Sequence, residues 1–322
     1  MTNIHYLPFI NNNDAIVWRQ SLEQSFINAH QDDYNRLNAA RSNGTAEDDL
    51  NDIKRELQCK WFMQLNKEIY EKLDAKLQNL PVNETVIAAL PEFFWRNIND
   101  NKKHERDIAN YGKSFSYEVK QIWENSKPSD EYSFQNLTAK YPNLILFAGT
   151  IWRKKDNVIR NSLPIFANGN FFGQWPKRNL SGIDGLGDNI PLSPTFDMNK
   201  VDKVTVHWTK PDFDPTDLTM PMITFNNLTI GLDICLDFIV PGSRSADLLF
   251  PTVPDIHLLI AGGMPVDNNN AANINASRLF LRCDAMEYWT NASYQNISLG
   301  GPMTAVLAPA AGELFASISL II

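Results

Sequence analysis

Asn227-Leu228-Thr229-Ile230-Gly231-Leu232-Asp233-Ile234-Cys235-Leu236-Asp237 is the stretch around which the rest of the chain is organised. Leu228, Ile230, Leu232 and Ile234 alternate with Thr229, Gly231 and Asp233, the two-residue period of a strand with one buried face. The strand stops on a cysteine. Rigid backbone on one side and a sharp turn on the other push such a sulfur into the open and aim backbone N–H groups at whatever it attacks. A free cysteine is also among the most often buried of small residues. This stretch by itself therefore leaves two readings, a packed thiol and a nucleophile.

Two further strand ends bear on the choice. Residues 85–90 form a short apolar run, an inner strand that ends at Pro91-Glu92-Phe93-Phe94-Trp95. A carboxyl group among aromatic walls holds its proton more tightly than in water, which suits an acid/base working near neutral pH. A rim glutamate on a loop is the alternative. Residues 158–167 and 171–175 flank Asn168-Gly169, a strong hairpin signal, and deliver the chain to Pro176-Lys177-Arg178. An ammonium held at a strand end stabilises an oxyanion, although most lysines are surface residues. Side chains this far apart in sequence converge readily at one edge of a sheet, where α/β sites tend to form. A thiol beside a carboxylate and an ammonium is an activated nucleophile with its oxyanion partner in place.

The remaining pattern predicts strands over 4–10, 144–150 and 256–261, and helices over 15–29, 45–80, 105–124 and 276–287. Leu50, Ile53, Leu57, Trp61, Leu65, Ile69, Leu73 and Leu77 step by three or four residues through the longest helix, with Thr45 as its N-cap and Pro81 as its stop. Residues 181–221 read as long loops. The chain ends in a hairpin, 305–308 and 314–322, turning through Gly312. Short strands alternating with helices, with the inner strands continuously apolar, favour an α/β fold in which helices cover sheets. No repeat and no clear linker divides the chain, which reads as a single domain over 1–322. Residues 1–84 include a helical N-terminal elaboration.

The bulk numbers exclude several classes. The chain has 322 residues, 43% hydrophobic and 20% charged, an ordinary globular balance. A net charge of -8 repels polyanions, so no nucleic-acid partner is expected. Cys59, Cys235 and Cys283 lie far apart with no Cys-x-x-Cys pair, which points away from disulfides and zinc and towards a reducing, cytoplasmic compartment. No leader pattern opens the sequence, and no apolar run approaches the ~18 residues of a membrane span, so no membrane partner is expected. Neither a metal nor a cofactor is expected.

Leu90-Pro91-Glu92-Phe93, Trp175-Pro176-Lys177-Arg178-Asn179-Leu180 and Gly231-Leu232-Asp233-Ile234-Cys235-Leu236-Asp237 resemble the three motifs of the nitrilase (carbon–nitrogen hydrolase) superfamily, in the family's chain order. Leu307-Ala308-Pro309 to Gly312-Glu313-Leu314 resembles its C-terminal strand–turn–strand. The resemblance covers residues 85–322. It implies a four-layer α-β-β-α sandwich, here with an additional N-terminal helical segment, in a homo-oligomer, dimeric or higher. It makes Cys235 the nucleophile, Glu92 the general base and acid, Lys177 the stabiliser of the tetrahedral intermediate, and the Leu236 backbone N–H a second oxyanion donor. The implied reaction is hydrolysis of a small amide through a cysteine thioester. The alternatives are a nitrile or carbamoyl substrate, an amide-forming acyl transfer, and a catalytically silent binding protein on this fold. Trp95, Asp184 and Phe238 are candidate pocket residues. The chain departs from the family in carrying no glutamate between Lys177 and Cys235, where Asp184 and Asp188 are the acids that can substitute. It departs again in the early Pro241-Gly242 break after the cysteine.

Overall fold

The computed structural model describes residues 2–10, 13–92, 94–95, 98, 117–155, 158–177, 216–218, 222–238, 253–262, 277–284, 292–296 and 313–322. Two sheets carry the fold. The first runs β12 (Ile318–Ile321), β1 (Asn3–Pro8), β2 (Thr85–Ala89), β3 (Leu144–Phe147), β5 (Val158–Ala167) and β4 (Ile151–Lys155), with β6 (Asn170–Pro176) also paired to β5. Its centre, β1-β2-β3, is parallel, and the flanking pairs are antiparallel. The second sheet runs β11 (Ala292–Asn296), β10 (Leu279–Asp284), β9 (Ile256–Ala261), β8 (Leu228–Ile234) and β7 (Met222–Phe225), with β8, β9 and β10 parallel.

The alternation in the opening stretch sets how the sheets stack. Leu228, Ile230, Leu232 and Ile234 all lie buried in one core with Ile4, Val86, Ala88 and Leu146 of the first sheet. Each such aliphatic side chain contributes roughly 1.5–3 kcal/mol relative to exposure. A one-residue register slip would turn all four of β8 to the other face, so the register is strongly specified. Cys283 of β10 also spans the two layers, its thiol 3.4 Å from the Ala89 carbonyl and 3.6 Å from that of Phe9.

Helices α1 (Asn13–Ala29), α2 (Gln31–Ser42), α3 (Glu47–Leu77), α4 (Tyr117–Asn125) and α5 (Phe134–Lys140) complete the described elements. Trp61, Leu65, Ile69 and Leu73 of α3 are all fully buried, so the four-residue apolar step does place one face against the core. The fold is the expected α/β sandwich. The described residues supply the helix, sheet and sheet layers of its four-layer order, with α1 to α3 between β1 and β2 in the chain. At the edge of the first sheet, His5 joins three segments. Its Nε2 lies 2.5 Å from Glu84 Oε2, just before β2, and its Nδ1 lies 3.0 Å from Ser319 Oγ on β12.

Several expectations change. Within the predicted helix over 276–287, residues 279–284 are the strand β10. Leu279-Phe280-Leu281 suits either state by periodicity. Its ladders to β9 on one side and β11 on the other decide the matter, and all six residues are buried. Thr45 does not cap α3. Ala46 occupies that position without a side-chain bond, and the Thr45 N–H instead bonds the Ala40 carbonyl. Helix α3 also ends at Leu77, ahead of Pro81. Helix α2 gave no periodic signal because only Leu37 of it is buried, and charge pairs tie it to α3 through Arg36–Glu56 and Lys60–Asp33. The strands β4, β7 and β11 and helix α5 were likewise not predicted. The hairpin at Asn168-Gly169 is present, with φ of 50° and 74°. Residues 105–116 of the helix over 105–124, and the segment 301–312 with its turn at Gly312, lie outside the described residues.

Candidate active site

Each of the three motif residues sits where a strand ends. After β2 the chain passes Leu90 and Pro91, and the Glu92 N–H then bonds the carbonyl of Ala261 at the end of β9, 3.2 Å away. Glu92 thus crosses from the first sheet to the second. The Pro91 carbonyl accepts from the Thr150 N–H at 3.3 Å, which pins this turn to the segment after β3. Gly149 makes that approach feasible. Its φ is +72°, and an added Cβ would stand 2.7 Å from the Pro91 oxygen and 2.8 Å from Leu90 Cβ. Gly149→Ala is expected to cost at least about 2 kcal/mol, because a left-handed conformation and a backbone clash add together. Urea unfolding checks this, and an unchanged midpoint would mean that the turn yields freely.

Lys177 follows β6 directly. Its N–H bonds the Asn161 carbonyl at 2.8 Å, and its Nζ lies 2.7 Å from Glu92 Oε1. Both side chains are essentially inaccessible, at 1% and 0% exposure. Asn161, on β5, donates from Nδ2 to the same Oε1 at 2.9 Å.

Cys235 begins a single 3-10 turn, Cys235–Phe238, immediately after β8. Its φ is +47°, a left-handed conformation that a cysteine adopts only at a cost. The sharp turn anticipated after the strand is therefore present. The Glu92 carboxylate, the Lys177 ammonium and the backbone N–H of Gly262 all act on the thiol. The residue retains some accessible surface, unlike Glu92 and Lys177. Burial pushes the thiol well above its usual range, and the Glu92 charge pushes it further. Lys177 and the Gly262 N–H oppose these by less. The resting form at neutral pH is accordingly the thiol, with a carboxylate already in place to receive its proton.

The structure thus brings Glu92, Lys177 and Cys235 together. Leu236 follows Cys235 within the 3-10 turn. Two pocket candidates move into the core. Trp95 is 2% exposed, its ring packs on Phe62, Trp123 and Phe134 beneath the helices, and its indole N–H bonds the Ala148 carbonyl. Phe238 is fully buried against His257 and Phe280. Large aromatic area is better removed from water than left at a cleft wall, and neighbouring rings took it up. Asp184 and Asp188 lie outside the described residues. Asp233 pairs with His257 at 2.7 Å, both nearly inaccessible. Asn161, Gly149 and Gly262 were not identified from sequence. Arg160, Asn161 and Ser162 are all polar within a run that otherwise reads as a strand, so no local signal singles out Asn161.

A cysteine, a carboxylate and an ammonium thus converge at strand ends of an α/β sandwich. Similar solved structures include a member of branch 10 of the nitrilase superfamily from Saccharomyces cerevisiae, at 14% identity over 80% of this chain and 83% of that one, with a TM-score of 0.45. A carbon–nitrogen hydrolase from Helicobacter pylori is similar at 13% identity over 99% and 88% of the two chains, with a TM-score of 0.45. An amidase from Nesterenkonia sp. is similar at 10% identity over 99% and 90%, with a TM-score of 0.36. No family model matches the chain, and no curated protein matches it.

Proposed function

We propose that this chain is a carbon–nitrogen hydrolase of the nitrilase superfamily that cleaves a small amide through a thioester on Cys235. The observation that carries the reading is the contact set of one carboxylate. Glu92 is hydrogen-bonded to the Lys177 ammonium at 2.7 Å and lies close enough to the Cys235 thiol for its charge to raise the thiol pKa. The order of the three motifs in the sequence supports it independently.

The steps follow from those contacts. Glu92 takes the thiol proton as sulfur bonds to the carbonyl carbon, and the carbonyl π pair moves to oxygen. Lys177 Nζ and the Leu236 N–H stabilise that oxyanion. Such donors contribute roughly 3–4 kcal/mol each to the transition state. Glu92 returns the proton to nitrogen as the C–N bond breaks, releasing the amine and leaving a thioester. Water then loses a proton to Glu92 and attacks the thioester carbon. The C–S bond breaks, the acid leaves, and Glu92 reprotonates the thiolate.

Mass spectrometry after brief exposure to iodoacetamide tests the reading. Cys235 is expected to be alkylated first, and Glu92→Gln is expected to slow it. Alkylation of Cys59 or Cys283 with Cys235 left unmodified overturns the assignment.

A further inference from the structure

We infer that Asn161 is a positioning residue that decides which oxygen of Glu92 acts as the base. The inference rests on the reading of Cys235 and Glu92 given above. Three observations carry it. Asn161 Nδ2 and Lys177 Nζ both donate to Oε1 of Glu92, at 2.9 and 2.7 Å. The main-chain carbonyl of the same asparagine accepts the Lys177 N–H at 2.8 Å. Asn161 is itself 1% exposed, so water does not substitute readily for its amide.

One residue therefore holds two of the three motif residues, the Glu92 side chain through its amide and the Lys177 main chain through its carbonyl. The consequences are chemical. Two donors on Oε1 stabilise negative charge there and fix the rotation of the carboxylate plane. Proton exchange with the thiol is left to Oε2. A donor to a carboxylate also favours its ionised form, so Asn161 keeps Glu92 ready as a base at lower pH. Loss of that donor makes the carboxyl hold its proton more tightly. The sign is fixed: the acid limb of Cys235 reactivity, where Glu92 becomes protonated, moves to higher pH.

The test uses the full chain and iodoacetamide as probe, reading the Cys235 alkylation rate from pH 4 to 9 by mass spectrometry. Wild type is expected to show an acid limb levelling to a plateau once Glu92 is ionised, whereas Glu92→Gln loses the plateau and shows only the slower, continuous rise of thiol ionisation. Asn161→Ala is expected to move that limb up by about one pH unit, making alkylation roughly tenfold slower at pH values below both limbs. Asn161→Asp keeps the size of the side chain and sets a second carboxyl against Oε1. Two carboxylates so close do not both ionise, and its limb is expected to move further up. It also serves if the alanine variant folds poorly. Folded variants whose limbs coincide with wild type, whatever their stability, overturn the inference. The same limb and plateau in Glu92→Gln overturn instead the base role of Glu92, and so separate the two failures.

Discussion

Lys177→Met is expected to lower the unfolding free energy by about 3–5 kcal/mol and to remove activity in the same step. The lysine and Glu92 form a 2.7 Å ion pair with 1% and 0% side-chain exposure. Burying two charges is costly, and the pair persists because each neutralises the other. Removing one leaves a carboxylate in a low-dielectric site with its counter-charge gone. The double variant Glu92→Gln/Lys177→Met removes both charges and is expected to recover much of the lost stability while remaining inactive. Urea unfolding of the two singles and the double closes the cycle. A Lys177→Met protein as stable as wild type would show that the pair is not buried in solution. An active one would show that the oxyanion is held elsewhere.

Cys235→Ala gives the opposite profile. Turnover is expected to fall by at least about four orders of magnitude, as when a covalent nucleophile is removed. Stability is expected to stay within about 1 kcal/mol of wild type, because alanine replaces a small side chain and retains its Cβ. The left-handed φ of +47° persists in the variant, so its strain is neither relieved nor increased. No acyl adduct should form on this variant with an activated amide, whereas wild type should gain the mass of the acyl group. An adduct on Cys235→Ala, or retained turnover, would place the chemistry on another residue. An equally adduct-free wild type would favour the catalytically silent alternative.

The two variants differ because the site combines stability and reactivity unevenly. Glu92 and Lys177 hold each other and lie at the seam where the β2 end meets the β9 end, so removing either charge is felt by the fold. Cys235 carries no charge that another buried group must balance, so its loss is felt mainly by the chemistry.

Much of this was legible before any fold was in hand. The two-residue alternation of Leu228, Ile230, Leu232 and Ile234 specified a strand and its buried face, since each apolar residue removed from water favours one register. The four-residue step from Trp61 to Leu73 specified a helix for the same reason. Asn168-Gly169 specified a hairpin because few residue pairs accept positive φ twice in succession. The positions of Glu92, Lys177 and Cys235 at strand ends were likewise readable, because abrupt ends of apolar runs are local features.

What the sequence by itself determined, then, was the set of local elements and the three residues at their ends. Only the tertiary structure decided the rest. Residues 279–284 became a strand because β9 and β11 offered ladders on both sides, a contact between segments that no local pattern reports. Trp95 and Phe238 became core because neighbouring rings were there to receive them. Asn161 joined the site because a turn 69 residues earlier in the chain placed a carboxylate 2.9 Å from its amide. Gly149 became indispensable because the Pro91 carbonyl passes close to it. The physical reason is common to all four: hydrogen bonds and close packing act at about 3 Å through space, and spacing along the chain does not encode that distance.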